Sequence, residues 1–400
     1  MIWTRQLRQH LNEVKHLISD PKTDILPEII NLRHQFHRHP ELSNHEFETT
    51  KQIAAILANW GIPVVPTDLD TGLLAEIKGQ QPGPTIALRA DIDALPVQEQ
   101  TDLSFKSENP GVMHACGHDL HFSSLLGAAY VLNARKETLK GTVRLLFQPA
   151  EEAGHGGDQV LAKHVLDGVQ AIVGFHNNPN LPVGQIALQK GPLMAGCYRF
   201  LVTIHGAGSH GARPEKGKDP IVAQAAIISQ LQTIVSRSSN PFDAVVVSVT
   251  KVRAGKTWNV LPGAATFEGT VRTFSDDNTA LVKKRFYEIV QNTAAAFGQT
   301  AEIDWSVGAY PIQNDATITT IVKNGLTAPI VKPELTMTGE DFATFEAQIP
   351  GTFAFIGSNG QANAADLHDP HFVGEDGTIP PAIDYFVQSA QSLLDYFNSK

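Results

Sequence analysis

Five short segments of this 400-residue chain carry side chains able to ligate a transition metal or to move a proton. The strand-like run 85–88 leads into Arg89-Ala90-Asp91-Ile92-Asp93, 142–147 into Gln148-Pro149-Ala150-Glu151-Glu152, and 171–175 directly into His176. The run 352–356 leads into a loop holding His368-Asp369-Pro370-His371, and His114-Ala115-Cys116-Gly117-His118-Asp119 precedes an apolar helical stretch. Taken singly, each has an ordinary explanation: carboxylates after strands cap helices, a lone His is a surface or satisfied residue, and a lone Cys is a small core hydrophobe. Taken together, Cys-x-His with an adjacent Asp, a Glu pair and two distant His form the ligand mix of a transition-metal site. Adjacent side chains leaving a strand point in different directions. One carboxylate of Glu151-Glu152 can therefore bind metal while its neighbour faces the attacking water as general base. A Cys116–His118 nucleophilic dyad is the competing reading; the two-residue separation and the carboxylate-rich surroundings fit metal better than thiolate attack.

Other clusters carry less. Residues 206–211 spell G-x-G-x-x-G after a strand, but the dinucleotide motif opens a helix directly and has an acidic residue about 20 positions on. Here Pro214 and a charged stretch precede the next helix, which starts near Pro220, and no strand ends in Asp or Glu around Gln230. The glycines are read as bending a loop that displays His210. His34, His37, His39 and His45, with Arg33, Arg38 and Glu41 on or beside a helix, are read as structural. His121, His155, His164 and His371 duplicate better-placed candidates.

These groups need a scaffold. Residues 46–60 have apolar side chains at helical spacing and stop at Gly61. Residues 120–132 read as a mostly buried helix with Asp119 as N-cap. Strands alternating with helices over the first 190 residues imply an α/β fold with a largely parallel sheet covered on both faces, whose ligands bind at the carboxyl ends of the strands. From about Gly191 the order becomes strand (200–204), helix (220–237), two strands (244–251, 264–273), helix (280–297) and strand (301–307), the split pattern of a small α+β domain. After Pro311 the first style resumes, ending in helix 382–397. The expected organisation is a catalytic domain of residues 1–190 and 309–400 with a domain of residues 191–308 inserted into it.

Composition narrows the classes. Hydrophobic residues make up 42 % and charged residues 18 %, a folding composition. The net charge of −10 argues against nucleic acid as partner. Residues 1–20 lack the apolar core of a signal peptide, and no apolar run approaches the ~18 residues that span a bilayer. Two Cys against 16 His fit a reducing compartment. No membrane association and a cytoplasmic location are expected.

The segments together resemble the metal-dependent aminoacylase, hippurate hydrolase and carboxypeptidase family, in the branch of bacterial N-acyl-amino-acid hydrolases and plant auxin–amino-acid conjugate hydrolases. The matching stretches are 37–42, 88–96, 113–119, 148–152, 174–176, 210–220, 338–342 and 367–368, in the family's order over nearly the whole chain. The resemblance implies a zinc-peptidase-like catalytic domain and a two-metal site of Cys116, His118, Glu152, His176 and His368. Other branches place a His and an Asp where this one has Cys and His. The resemblance makes Glu151 the catalytic carboxylate and Asp93 the group that orients a ligand His. It makes His210 a lid-domain residue that reaches the partner's active site in family dimers. It places Asn259 and Arg272 at the substrate's carboxylate end and Glu340 near the site. The implied cofactors are two divalent ions among Zn, Mn, Ni and Co. The implied substrate is a small N-acyl amino acid, and the implied assembly is a homodimer through the inserted domain. Two alternatives stand beside it: a metallo-dipeptidase or carboxypeptidase on the same chemistry, and a non-catalytic metal-dependent binding module.

Overall fold

A computed structural model describes residues 20–400; the reading of the N-terminal segment as lacking a signal peptide lies outside them but for Asp20. The chain forms two compact units: the described part of Met1–Lys190 with Asn314–Pro333 and Phe345–Lys400, and Gly191–Gln313 with Glu334–Thr344.

The first unit is built on eight strands: β1 (Val64–Val65), β2 (Leu73–Lys78), β3 (Gln81–Asp91), β4 (Lys140–Gln148), β5 (Ala171–Pro182), β6 (Ile186–Ala187), β7 (Ile330–Val331) and β8 (Gly351–Asn359), in the spatial order β1-β2-β4-β3-β5-β8-β6-β7. The middle, β4-β3-β5-β8, is parallel, whereas β1, β2 and β6 join antiparallel neighbours. β8 is buried from Gly351 to Ser358, which requires cover on both faces. The helices of this unit are α1 (Pro21–Arg38), α2 (Phe47–Asn59), α3 (His118–Ala134), α4 (Gly156–Ala162), α5 (Ala316–Gly325) and α6 (Ile379–Asn398). α3 packs on α1 and α6, and α6 also covers β3. A Cβ at Gly127 of α3 would come within 2.4 Å of Ile383 in α6, so the absence of a side chain there sets how closely the two helices approach.

α3 departs from its expected start. It begins at His118, with Gly117 at the N-cap in the left-handed conformation (φ 81°), so Asp119 is not the cap. Its buried carboxylate instead accepts from Arg33 Nε at 2.7 Å and from His37 Nδ1 at 3.0 Å. A buried charge needs opposite charge more than a helix end needs a cap. Burial disfavours the charged Asp119, but Arg33 and His37 outweigh it and hold the carboxyl well below its usual range.

The second unit follows the order strand, helix, two strands, helix, strand: Gly196–His205, Pro220–Thr233, Val245–Ala254, Ala264–Thr273, Asp276–Ala296 and Thr300–Ala309. Its sheet is antiparallel, with 245–254 and 300–309 at the edges and 264–273 beside 196–205 in the middle. Burial alternates along the two middle strands, so one face packs on the helices through Phe200, Phe267 and Phe286. Asp219 caps the first helix by accepting from the N–H groups of Ile221 and Val222. The unit takes in more chain than the 191–308 span read from sequence. Ile312 N–H donates to Met194 O at 3.1 Å, Ala195 N–H donates to Thr336 O at 3.0 Å, and these pairings tie both later segments to the strand start.

Candidate metal centre

The carboxyl ends of β3, β4 and β5, the turn before α3 and the loop after β8 converge, as the strand-end reading requires. Cys116 Sγ lies 3.3 Å from His176 Nε2 and 3.3 Å from His368 Nε2. Glu152 Oε1 lies 3.3 Å from His368 Nε2 and 3.9 Å from His118 Nε2. Three overlapping groups (Cys116, His118 and His176; Cys116, Glu152 and His368; His118, Glu151 and Glu152) each have their ligand-type atoms within 4.8 Å of one another. Cys116, His118 and Glu152 each belong to two groups.

The donors are fixed by contacts on their far sides. His118 Nδ1 donates toward Asp93, 2.9 Å from its backbone oxygen and 3.2 Å from Oδ1, which turns Nε2 into the cluster. His176 Nδ1 donates to Asn177 O at 2.7 Å, leaving Nε2 facing Cys116. Asp93 Oδ2 accepts from Ser43 Oγ at 2.6 Å and from the Glu152 N–H at 3.0 Å, so one carboxylate orients two candidate ligands. Two non-glycine residues of the site have left-handed backbones, Ala150 (φ 56°) and His368 (φ 67°). Such conformations are costly for L-residues and persist where surrounding structure imposes them.

The electrostatics fit cations. His118 Nε2 and Glu152 Oε1 are buried without a well-aligned hydrogen bond, although Glu152 Oε1 is close to His368 Nε2. Buried polar atoms are rarely left so. Burial, then the Glu152 and Glu151 carboxylates, push the Cys116 thiol well up. Burial works to lower the His118 pKa, but Asp91, Asp93 and Glu152 prevail and raise it to about 10. Burial, reinforced by His121 and His118, pushes His176 well down, to the neutral form a ligand needs. Thiol, imidazoles and carboxylates packed this closely are a donor set for divalent transition metals.

The model of peptidase family M20/M25/M40 matches residues 87–392. The chain belongs to this family. It is 45 % identical over 371 residues to the N-acetyl-L-cysteine deacetylase of Bacillus subtilis, covering 92 % of this chain and 88 % of that protein. It is 37 % identical over 339 residues to thermostable carboxypeptidase 1 of Saccharolobus solfataricus (83 % and 86 %). It superposes with a TM-score of 0.84 and 42 % identity on the crystal structure of a dinuclear metal-binding M20 peptidase from Bacillus subtilis, covering 93 % of this chain and 99 % of that one.

The remaining candidates of this M20 hydrolase lie in its second unit. Residues Ser209–His210 pair with Val260–Leu261 in a two-stranded ribbon, and the Gly211 N–H donates to Asn259 O at 2.8 Å, so His210 and Asn259 sit on one ribbon. His210 is exposed; its Nδ1 accepts from the Ala212 N–H at 3.0 Å, which leaves Nε2 as the outward donor. A Cβ at Gly206 would lie 2.4 Å from Lys218 O, so this glycine permits a close backbone approach in the loop. Arg272 is half-buried in the middle strand 264–273, its pKa lowered by burial. Glu340 is buried, with Oε1 accepting from the Phe342 N–H at 3.0 Å.

Sequence reasoning missed the residues behind the candidate ligands. His121 Nδ1 donates to Asp91 at 2.6 Å and its Nε2 accepts from the Asn177 N–H at 3.0 Å. Asn177 Nδ2 donates to Cys116 O at 2.6 Å, and Ser358 Oγ donates to Asn177 Oδ1. A Cβ at Gly117 would lie 2.4 Å from Asn177 Nδ2, so glycine is needed there for space as well as for its φ. The signal available was the three-residue step from His118 to His121, which puts both on one helix face. His34 and His37, read as structural, contact Asp376 and the Glu99–Asp119 pair.

Proposed function

We propose that this M20 hydrolase cleaves the amide bond of N-acyl amino acids to a carboxylic acid and a free amino acid. The observation that carries it is the Glu151-Glu152 turn, one carboxylate of which meets His118, His368 and Cys116 while the other stands beside it. Cys116, His118, Glu152, His176 and His368 would hold two divalent ions, with Zn, Mn, Ni and Co all compatible with one thiolate among imidazoles and a carboxylate. When bound, such ions polarise an amide carbonyl and lower the pKa of a water toward neutrality. Glu151 takes the proton from the attacking water and delivers it to the leaving nitrogen. Asp93 keeps His118 in the tautomer with Nε2 free. His210 donates from Nε2 to the developing oxyanion, and Arg272 with Asn259 holds the substrate carboxylate. Arg272 is suited to that role because no carboxylate among the described residues pairs with its half-buried guanidinium.

A small-molecule substrate, a homodimer through the second unit and a cytoplasmic location complete the reading; no helix among the described residues is long and apolar enough to cross a membrane. The likeness to a carboxypeptidase supports a second reading, peptide cleavage by the same groups. A binding module without catalysis is disfavoured, because it would have no use for Glu151 beside a full donor set. The test is turnover of N-acetyl and N-benzoyl amino acids and of dipeptides with added Mn²⁺, Zn²⁺, Co²⁺ or Ni²⁺. Faster acyl-amide than dipeptide hydrolysis is expected, and Glu151→Gln should lower kcat by about 10²–10⁴-fold with metal content intact. Full activity in metal-loaded Glu151→Gln would remove Glu151 from its role, and inertness across the panel would favour the binding module.

A further inference from the structure

Ala150 is the residue between β4's exit at Pro149 and the proposed proton carrier Glu151, and it is held at φ 56° with no solvent exposure. Nothing intrinsic to alanine favours that conformation. Its N–H donates to Glu46 Oε1 at 2.8 Å, from 104 residues away in sequence. Glu46 is itself 0 % exposed, and its Oε2 accepts from Thr71 Oγ1 at 2.8 Å. A carboxylate placed in the interior without a cationic partner is expensive, so its hydrogen bonds must justify it. The surroundings are tightly matched. Thr50 Oγ1 donates to Glu46 O and accepts from the Gly72 N–H, and a Cβ at Gly72 would come within 2.5 Å of Pro149 Cδ. On the far side, the Gly156 N–H donates to Ala150 O at 3.2 Å. The turn is thus gripped from both sides, with the Glu46 carboxylate holding the Ala150 N–H and the Asp93 carboxylate holding the Glu152 N–H.

We infer that Glu46 is a positioning residue: its buried carboxylate locks Ala150 in the left-handed conformation and so sets the direction of the Glu151 carboxylate. The inference rests on the proposed role of Glu151, but the lock itself is readable without turnover. Glu46→Gln keeps the geometry, because its amide oxygen can accept from Ala150 while its NH₂ donates to Thr71 Oγ1. Glu46→Ala removes the grip. Ala150→Gly lowers the cost of the left-handed state and should compensate in part for the missing grip.

The experiment compares wild type, Glu46→Ala, Glu46→Gln and the double variant Glu46→Ala/Ala150→Gly, all metal-loaded, by hydrogen exchange of the segment 148–156, metal content and kinetics. Glu46→Ala should exchange that segment at least about tenfold faster. It should lose about 100-fold in kcat with KM and metal content nearly unchanged, the scale expected for a misplaced catalytic group. Glu46→Gln should restore both readouts to near wild type, and the double variant should recover about tenfold in kcat, the order of a removed left-handed cost. If Glu46→Ala does not fold, Glu46→Met, which keeps the buried volume, replaces it. Unchanged exchange on loss of the carboxylate, or an unchanged kcat, overturns the lock. If wild type turns over no N-acyl amino acid or dipeptide, the functional reading fails instead, and the exchange comparison still decides the role of Glu46.

Discussion

The strand-end cluster of the first unit and the His210–Asn259 ribbon of the second are built on opposite plans. In the first, Cys116, His118 and His176 are buried, Glu152 is half-buried and His368 alone of the five is exposed, and most are held from behind: His118 by Asp93, Asn177 and Cys116 by a common hydrogen bond, Glu152 by Asp93. In the second, His210 is exposed, on a ribbon two residues long per strand, with one backbone contact to its ring. Rigid burial suits donors that must match a metal's geometry before it arrives. Exposure on a short ribbon suits a group that acts only when substrate is present. The difference separates two kinds of defect: one in metal affinity and stability, the other in turnover alone.

Four changes test that separation, the largest first. His210→Ala should lower kcat by about 10²–10³-fold, the effect of losing one oxyanion donor, with melting temperature and metal content unmoved. A loss of metal in that variant would merge the two regions into one. Asp93→Asn should weaken metal binding by about 10–100-fold in chelator competition, because the tautomer and aim of His118 are no longer imposed. Gly117→Ala should destabilise the protein by at least about 1–2 kcal/mol in denaturant unfolding, from the left-handed φ alone, with displacement of Asn177 adding to it. An equal stability would mean that the turn before α3 has slack. The smallest effect concerns acid. Because Arg33 and His37 hold Asp119 below its usual range, its contribution to stability is complete above the unfolded carboxylate pKa, about 3.9, and is lost as pH falls below it. Arg33→Met should flatten the acid limb of stability measured between about pH 5 and pH 2 while leaving the ordering of activities among substrates unchanged.

Much of the site was legible in sequence, because residue type and strand period are local. The runs at 85–88, 142–147, 171–175 and 352–356 lie within β3, β4, β5 and β8, and parallel strands deliver their C-terminal neighbours to one edge. What was not legible depends on partners distant along the chain. Asp119 reads as a cap until Arg33 and His37 are seen to lie 86 and 82 residues away from it in sequence and against its carboxylate. Glu46 looks like an ordinary helix-start carboxylate, and His121 like a spare copy of His118, until Ala150 and Asn177 are in place. The division into units was hardest to read beyond Pro311. The segment Glu334–Thr344 has no pattern of its own and joins the second unit through the bridge between Met194 and Thr336.

The position of β8 has a consequence for how the chain is made. β8 lies between β5 and β6 in the sheet, yet it follows them by more than the whole second unit in sequence. At about 5–20 residues per second, a ribosome needs roughly 10–30 s to pass from β6 to β8. Through that interval β5 has no neighbour on one side and presents open hydrogen-bonding groups, an edge on which nascent chains can pair with one another. His368 emerges later still. The candidate donor set therefore closes only once the segment after β8 has emerged, so that a metal held by all five groups would be captured after the sheet has formed rather than during its early steps.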